Sequence, residues 1–205
     1  MSGAAVGDTY SHLKYVSTQL TDFIRGLGYN AQYRETLGTA KPELLMVPTA
    51  IDAGIGEFSR TGRVLSPEFG INMRLKAVTT DLPLEVDKPI SFGVHDFCMA
   101  CEKCARHCPA QAIPYGPPAR NTLSVSNNPG YEKWYIDAEK CFIFWGSNRK
   151  KWDSCNGRCI VVCPWNKPSG WQHTMAKWAA INMGKGVKRL LVRLDDMRGH
   201  GKRPV

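Results

Sequence analysis

The 205-residue sequence lacks the features that would mark a membrane-spanning chain or an exported precursor. No run approaches the roughly 18 consecutive apolar residues of a transmembrane helix, so the pattern predicts no such span. The opening stretch MSGAAVGDTYSHL has no basic start, no apolar run and no twin arginine, and we do not expect it to be an export signal. Cysteine is absent outside residues 98–163, which disfavours a disulfide scaffold, because such scaffolds distribute cysteines over the whole fold.

Acidic residues are scarce relative to basic ones, and the formal net charge is +9. An excess of this size raises the question of a nucleic-acid partner. The basic residues are scattered, however, and are densest at 149–151 and between 185 and 203. We therefore expect no nucleic-acid partner. The excess is better interpreted as a solvated basic face, or as a docking surface for an acidic electron donor.

The hydrophobic pattern predicts an α+β protein. Periodicity of 3.6 residues indicates helices near both ends, and a stretch of alternating apolar and polar residues between them indicates a strand. Prolines and glycines separate these segments. The predicted elements are a helix over 8–28, a short strand over 29–33, a short helix over 48–58, a strand over 71–79, a linker over 81–93, helices over 171–182 and 185–197, and a frayed basic tail over 199–205.

The first four cysteines, Cys98, Cys101, Cys104 and Cys108, form the pattern C-x2-C-x2-C-x3-C-P. This run is typical of bacterial ferredoxins that hold two [4Fe–4S] clusters. The two-residue spacings allow three thiolates of one tight loop to reach three irons of a single cube. The fourth cysteine of such a run ligates the other cluster.

The second group consists of Cys141, Cys155, Cys159 and Cys163, and it ends in the same C-x3-C-P signature. Thirteen residues separate its first two members, so its start is stretched relative to the first group. Exchanging the last ligand of each group gives the pseudo-symmetric assignment of a two-cluster ferredoxin. The predicted ligands are Cys98, Cys101, Cys104 and Cys163 for cluster 1, and Cys108, Cys141, Cys155 and Cys159 for cluster 2.

Zinc binding is the main alternative for this cysteine unit. Structural zinc sites favour paired C-x2-C elements, and they leave the third closely spaced cysteine and both C-P endings unexplained. Buried structural thiols would not cluster at ligand spacing. The pattern therefore favours two iron–sulfur clusters.

Longer motifs around the cysteines resemble the corrinoid- and iron–sulfur-dependent reductive dehalogenases. They are YSHLKYVSTQLTDFIRGLGYNA at 10–31, SRTGRVLSPEFGINMRLK at 59–76, TTDLPLEVDKPISFGVHDFCMACEKCARHCPAQAI at 79–113, and Cys141 with its tryptophan-containing insertion. The resemblance implies part of a nitroreductase-like corrinoid-binding domain over 1–90, a ferredoxin-like unit with two [4Fe–4S] clusters over 91–168, and a helical tail over 169–205.

The same resemblance implies a longer parent protein. Members of that family are about twice this length and begin with a twin-arginine signal, so the chain is expected to be their C-terminal half. We accordingly expect the full-length protein to act at the outer face of the cell membrane. Its expected partners are an organohalide substrate and an electron donor or membrane anchor subunit.

In the resembled family a cobamide, reduced through the two clusters, removes halogen, and a tyrosine supplies a proton. Tyr10 matches that tyrosine, and Arg74 matches the arginine that tunes it. A phenol with an ordinary pKa near 10 needs such a positive neighbour to act as an acid. From the residues alone, Tyr10 could equally be a buried aromatic residue of the helix and Arg74 an arginine on a sheet face.

Cofactor contacts are implied at Gly54, Gly56 and Glu57, which resemble an A-G-L-G-E element near the corrinoid. Glycines would allow the backbone to approach a large planar ligand. The alternative is a helix that simply ends at glycine. One departure affects the substrate: the family often has an asparagine after its L-G-Y element, and residues 34–40, RETLGTA, contain none.

Two other functions compete with dehalogenation. An electron-transfer module without chemistry of its own would bind iron but no corrinoid. An epoxyqueuosine reductase-like enzyme would also carry a cobamide and a ferredoxin unit. The D-L-P-L-x-x-D-K-P segment at 81–89 and the three-residue spacing between Cys155 and Cys159 favour the dehalogenase.

Overall fold

A computed structural model describes residues 3–34, 44–121, 127–147, 157–167 and 170–199. Residues 3–6 are described by their backbone alone. Its mixture of helices and strands agrees with the α+β prediction. The helices are α1 (Gly3–Gly26), α2 (Met46–Asp52), α3 (Val94–Cys101), α4 (Lys103–Arg106), α5 (Ala138–Ser147), α6 (Arg158–Val161), α7 (Trp171–Asn182) and α8 (Lys185–Met197), with a 3₁₀ turn at Pro164–Asn166. The strands are β1 (Ala31–Arg34), β2 (Glu57–Phe58), β3 (Val64–Leu65) and β4 (Ala77–Thr80).

The strands form two antiparallel pairs, β1 with β4 and β2 with β3. In the first pair Ala31 lies opposite Thr80 and Arg34 opposite Ala77. Helix α1 packs on this pair, and the Arg25 Nε donates a hydrogen bond to the Ala31 carbonyl oxygen at 2.9 Å. The first helix and the strand before the linker are thereby held together.

Helix α1 buries only part of the face that its hydrophobic periodicity indicates. The side chains turned inward belong to Ser17, Thr21 and Ile24. Of the residues that carry the helical periodicity, Ile24 is buried and Leu13 is half-buried, whereas Val16, Leu20, Phe23 and Leu27 are exposed. The reason is geometric, because a two-stranded sheet covers only one side of the helix.

The predicted strand over 71–79 is wrong in its first half. Only Ala77–Thr80 is paired in a ladder, whereas Ile71 is fully buried in the core. The Ile71 backbone N–H donates to the Asn166 side-chain oxygen at 2.8 Å instead of to a neighbouring strand. Residues 73–76 are all half-buried, so the alternation of apolar residues corresponds neither to sheet pairing nor to a single buried side.

One hydrophobic core joins the segment before the cysteines to the helices after them. Trp165 is at its centre, with the rings of Phe92 and Phe97 edge-on at 5.5 and 5.6 Å. The core also contains residues of β3, α3, α6, α7 and α8, namely Leu65, Val94, Ile160, Ala180 and Val192. Helices α7 and α8 have the predicted bounds, and their packing on α3 attaches them to the cysteine unit.

No helix in the described part of the chain combines the length and apolar character that crossing a membrane requires. Residues 81–93 contain neither helix nor strand, as predicted for a linker. Most of the predicted tail, from residue 200 onward, lies outside the described residues.

Candidate metal centre and its surroundings

Four cysteines from two distant parts of the chain line one cavity. Cys98 and Cys101 lie on α3, Cys104 lies on α4, and Cys163 immediately precedes the 3₁₀ turn. Electrostatic repulsion from the other three raises the pKa of Cys163, after the larger effect of its burial. The structure thus brings together the four cysteines predicted for cluster 1.

Local backbone geometry explains how three of these thiols come from one short segment. Glu102 has a left-handed backbone (φ 48°) and separates α3 from α4, so the chain turns sharply between Cys101 and Cys104. Backbone N–H groups are directed at the sulfurs: that of Lys103 hydrogen-bonds to Cys101 and that of Trp165 to Cys163. Such bonds favour the thiolate form that binds iron.

Burial has the opposite effect on these thiols. It raises the pKa of Cys98 to about 11 and that of Cys101 to about 12. The pKa values of Cys104 and Cys163 are also raised, by burial and by the neighbouring cysteines. Neutral thiols are therefore favoured at neutral pH unless a cation compensates, and binding iron releases their protons.

The cavity contains a hydrogen-bond donor that suits an iron–sulfur cluster. Trp165 Nε1 is buried and has no partner among the described residues, and its ring lines the same cavity as the four cysteines. Cluster sulfurs accept hydrogen bonds, so they would satisfy this N–H. Within the described ranges, no three His, Cys, Asp or Glu side chains are placed to hold a single metal ion.

Two buried cations flank the cavity, Arg60 and Lys103. The Lys103 ammonium group bonds to Asp195 and lies 3.0 Å from an oxygen of Asp196, both on α8. Arg106 reaches the other Asp196 oxygen at 3.1 Å. Ion pairs therefore attach the C-terminal helix to the loop that carries the cysteines.

The cysteines assigned to cluster 2 are described only in part. Cys155 lies outside the described residues, while Cys108, Cys141 and Cys159 lie within them. The Cys108 sulfur accepts a hydrogen bond from the Ala112 N–H at 3.3 Å. Cys159 raises the pKa of Cys104, so members of the two sets are neighbours. The ligand assignment for cluster 2 stays a prediction.

Tyr10 and Arg74 lie far apart in the sequence and are in contact in the structure. The Arg74 guanidinium carbon is 5.5 Å from the centre of the Tyr10 ring, within the range of a cation–π interaction. Arg74 Nη1 donates to the Met73 carbonyl at 3.3 Å, whereas Nε is buried with no partner among the described residues.

Gly54, Gly56 and Glu57 have structural contacts that sequence reasoning did not anticipate. The Glu57 carboxylate accepts hydrogen bonds from the backbone N–H groups of Phe92, Gly93 and Val94, at the start of α3. A Cβ at Gly56 would lie 2.1 Å from the Leu65 carbonyl oxygen, and one at Gly54, where φ is +69°, would lie 2.7 Å from that of Lys88. These contacts explain the residues without a ligand, and their contact with a corrinoid stays a prediction.

A large cavity lies between α2 and α5 and has a volume of about 740 Å³. Its lining is mainly apolar and aromatic, and includes Met46, Ile51, Trp134, Phe142 and Trp145 together with Cys141. Cavities of this size hold small-molecule ligands or cofactors. Sequence reasoning missed this cavity because its walls come from segments that are distant in the chain.

The family asparagine was expected after the L-G-Y element, and residues 35–40 of that segment lie outside the described residues.

Residues 97–167 match the family described as 4Fe-4S dicluster domain. This match confirms that the cysteine unit binds two [4Fe–4S] clusters and does not form a zinc site or disulfides.

Sequence reasoning also missed Arg60, although the residue lies within the motif SRTGRVLSPEFGINMRLK at 59–76. A basic residue in an otherwise small and polar turn, S-R-T-G, gives no sign of burial.

Two curated relatives are tetrachloroethene reductive dehalogenases. The one from Desulfitobacterium hafniense is 39% identical over 183 residues, which are 87% of this chain and 32% of that protein. The one from Sulfurospirillum multivorans is 36% identical over 201 residues, 98% of this chain and 38% of that protein. The chain thus spans about a third of the length of these relatives, less than the expected half.

A solved structure shows the same similarity in three dimensions. The catabolic reductive dehalogenase NpRdhA, in complex with 3-bromo-4-hydroxybenzoic acid, matches with a TM-score of 0.76 and 34% identity over 89% of this chain and 25% of that chain. An epoxyqueuosine reductase of Lactococcus garvieae is a more distant relative, 30% identical over 167 residues, 78% of this chain and 43% of that protein.

Anaerobic reconstitution should load the chain with about eight iron and eight acid-labile sulfide, four of each per cubane cluster. Colorimetric iron and sulfide determinations on the desalted protein measure both. Zinc offered under the same conditions serves as the control. Stoichiometric zinc without sulfide would contradict the assignment.

Substituting Cys163→Ser should damage the cluster that Cys98, Cys101 and Cys104 hold, although Cys163 is closer in sequence to Cys155 and Cys159. The reason is that the structure places Cys163 in the cavity of the first three cysteines. Electron paramagnetic resonance of the reduced variant, compared with Cys98→Ser, measures the effect. Loss of the same signal in both variants is expected. Loss of different signals would refute the shared cluster.

Proposed function

Because the chain is related to the reductive dehalogenases over most of its own length, we propose that it supplies the electron relay and the proton donor of such an enzyme. The reaction is removal of halogen from an organohalide with release of halide. The observation that carries the proposal is the contact between Tyr10 and Arg74, whose guanidinium carbon lies 5.5 Å from the centre of the Tyr10 ring. The same chain places four predicted cluster cysteines around one cavity. A module for electron transfer alone would have no need of that pair.

The reaction consumes two electrons and one proton for each carbon–halogen bond that is replaced by carbon–hydrogen. The two [4Fe–4S] clusters are one-electron carriers, so together they can store the two electrons. A cobamide, when bound, supplies the reduced metal centre at which the carbon–halogen bond is cleaved. The chain's own residues hold the clusters, donate the proton and position the reacting groups.

Proton donation is assigned to the Tyr10 hydroxyl. The proton passes from Oη to the carbon that loses halogen and leaves a phenolate, which the adjacent Arg74 guanidinium stabilises. Arg74 Nε, which has no partner in the part of the chain that the structure describes, offers a further donor to an anion in the site, either the phenolate or the departing halide. A buried N–H without a partner is costly, so a bound group that accepts from it is expected.

The described residues fit a cobamide in part. The cavity between α2 and α5 borders Cys141, one of the predicted ligands of cluster 2, and its apolar lining suits a large ring system. We propose that these residues form one wall of the cofactor site. The remaining walls would come from the nitroreductase-like domain, of which residues 1–90 form a part in this proposal.

The cellular setting forms part of the same proposal. By analogy with the family resemblance, the complete protein would be exported and would act at the outer face of the cell membrane. An electron donor or an anchor subunit would reduce its clusters. The basic surface predicted from the sequence suits an acidic electron donor.

Tyr10→Phe should lower dehalogenation by about 10²–10⁴-fold, the usual contribution of general acid catalysis. The assay uses the natural form of the protein that carries a bound cobamide, and measures halide release at matched cobamide and iron content. Arg74→Lys keeps the charge but loses the planar guanidinium group, so it should also be clearly impaired.

A matched control is Tyr15→Phe on the same helix, because Tyr15 is exposed. This variant should retain turnover. If Tyr10 serves only to fill volume, the phenyl ring of Tyr10→Phe will fill the same space and the variant will remain active. Turnover of Tyr10→Phe within a few-fold of the parent would therefore refute its assignment as proton donor.

The 205-residue chain by itself should bind a cobamide weakly, since one wall of a site leaves much of the ligand's apolar face in water. Absorbance titration with cobamide under anaerobic conditions, followed by desalting, measures the retained corrin. Retention far below one equivalent is expected. Tight, stoichiometric binding would show that these residues already form the complete site.

A further inference from the structure

Arg60 is a buried cation that the proposed reaction does not use. It lies in the turn between β2 and β3, 38 positions before Cys98, and its side chain is only 1% exposed. Burying a guanidinium group is expensive unless its charge and its N–H groups are satisfied. The contacts of Arg60 therefore indicate what the residue is placed to do.

Arg60 contacts a cluster ligand at two points. Its Nε and Nη2 donate to the Cys98 carbonyl oxygen at 3.2 and 3.0 Å, and its backbone N–H hydrogen-bonds to the Cys98 sulfur. Nη1 donates to the Pro114 carbonyl at 2.7 Å, and the guanidinium lies 4.7 Å from the centre of the Trp134 ring. This geometry fixes the positive charge at the edge of the cysteine cavity.

The charge of Arg60 lies close to more than one thiol. Arg60 lines the same cavity as Cys98 and Cys104, together with Cys101 and Cys163. A fixed charge has a strong effect in a poorly hydrated cavity, because little water is present to screen it. A fixed cation at the edge of the cavity will favour the more negative oxidation state of a cluster held there.

Arg60 is less neutralised than the other buried cation of this cavity. Lys103 bonds to two carboxylates of α8, those of Asp195 and Asp196. Among the described residues, Arg60 has one carboxylate within ion-pair distance, that of Glu102, whose oxygen is 3.4 Å from Nη2 and whose side chain is 32% exposed. Much of the positive charge of Arg60 is thus available to the cavity.

We propose that Arg60 sets the reduction potential of cluster 1 by stabilising its reduced state. Reduction adds one electron to the cluster held by Cys98, Cys101, Cys104 and Cys163, and makes it one unit more negative. The nearby cation stabilises the reduced form more than the oxidised form and so raises the potential. Arg60 belongs to the segment that precedes the cysteine unit, so the adjoining domain tunes the relay.

Potentiometric titration of the anaerobically reconstituted 205-residue chain, read by electron paramagnetic resonance, tests this role. The signal that Cys163→Ser removes identifies cluster 1. Arg60→Gln should reduce the ratio of reduced to oxidised cluster 1 at a given potential by about tenfold, which is 59 mV for one electron. Arg60→Lys, which keeps the charge, should stay within about threefold of the parent.

Glu102→Gln gives the test of opposite sign. Glutamine retains an oxygen that can accept the hydrogen bond from the Gly116 N–H, made by Glu102 at 2.7 Å, so the turn should be preserved. Removing the carboxylate leaves the Arg60 charge without this counter-ion, and the ratio of reduced to oxidised cluster 1 should increase several-fold. Because Glu102 lines the same cavity, the size of the increase measures how strongly cluster 1 responds to charge at the edge where Arg60 lies. An unchanged potential would mean that charge at this edge, including that of Arg60, does not set it.

The exposed pair Arg120 and Glu132, 3.5 Å apart, supplies matched controls. Arg120→Gln and Glu132→Gln should leave the potentials of both clusters unchanged. If Arg60→Gln fails to load cluster 1, the Glu102→Gln result decides: an increase supports the proposal and an unchanged potential overturns it. No step of this test requires a cobamide or an organohalide, so its outcome is independent of the proposed dehalogenation.

Discussion

The convergence of Cys163 on the loop of Cys98, Cys101 and Cys104 is the constraint on which the rest of the fold depends. Four thiols from two distant segments must meet around one cavity, and the hydrophobic core is built beside them. Phe97 lies on the cysteine helix and packs edge-on against Trp165, two residues after Cys163. The apolar contact holds the two segments together, and the thiols then face each other in a region where burial makes the charged form unfavourable. Iron supplies the compensating positive charge.

That constraint also explains why segments before and after the cysteine unit pack onto it. The Glu57 carboxylate receives three backbone N–H groups at the start of α3, and this interaction orients the helix that carries Cys98 and Cys101. On the other side, Lys103 and Arg106 form ion pairs with α8. A ferredoxin-like unit held from both sides cannot shift easily relative to its neighbours. An electron relay needs this rigidity, because transfer rates fall steeply with distance.

The cysteine pattern and the two C-terminal helices could be predicted because both are local. Ligand spacing is written directly into C-x2-C-x2-C-x3-C-P, and the bounds of α7 and α8 follow from helical periodicity. Features that depend on distant partners could not be predicted. Ile71 bonds to the side chain of Asn166 and not to a strand, and most of the apolar stripe of α1 is exposed because the sheet covers only one side of the helix. The family resemblance, not the residue pattern, paired Tyr10 with Arg74, and the structure places them in contact.

Charge shows why composition and structure answer different questions. The excess of nine positive charges is mostly a property of the surface, where water and salt screen it. Arg60 and Lys103 contribute only two of those charges, yet they lie beside an anionic cluster in a region with little screening. The pairing of each one determines its effect. Lys103 shares its charge with two aspartates and serves mainly to attach α8, whereas Arg60 faces the cavity with one partly exposed glutamate. The effect of each charge on function in this protein therefore depends on its burial and its counter-ions, and a count of residues shows neither of these.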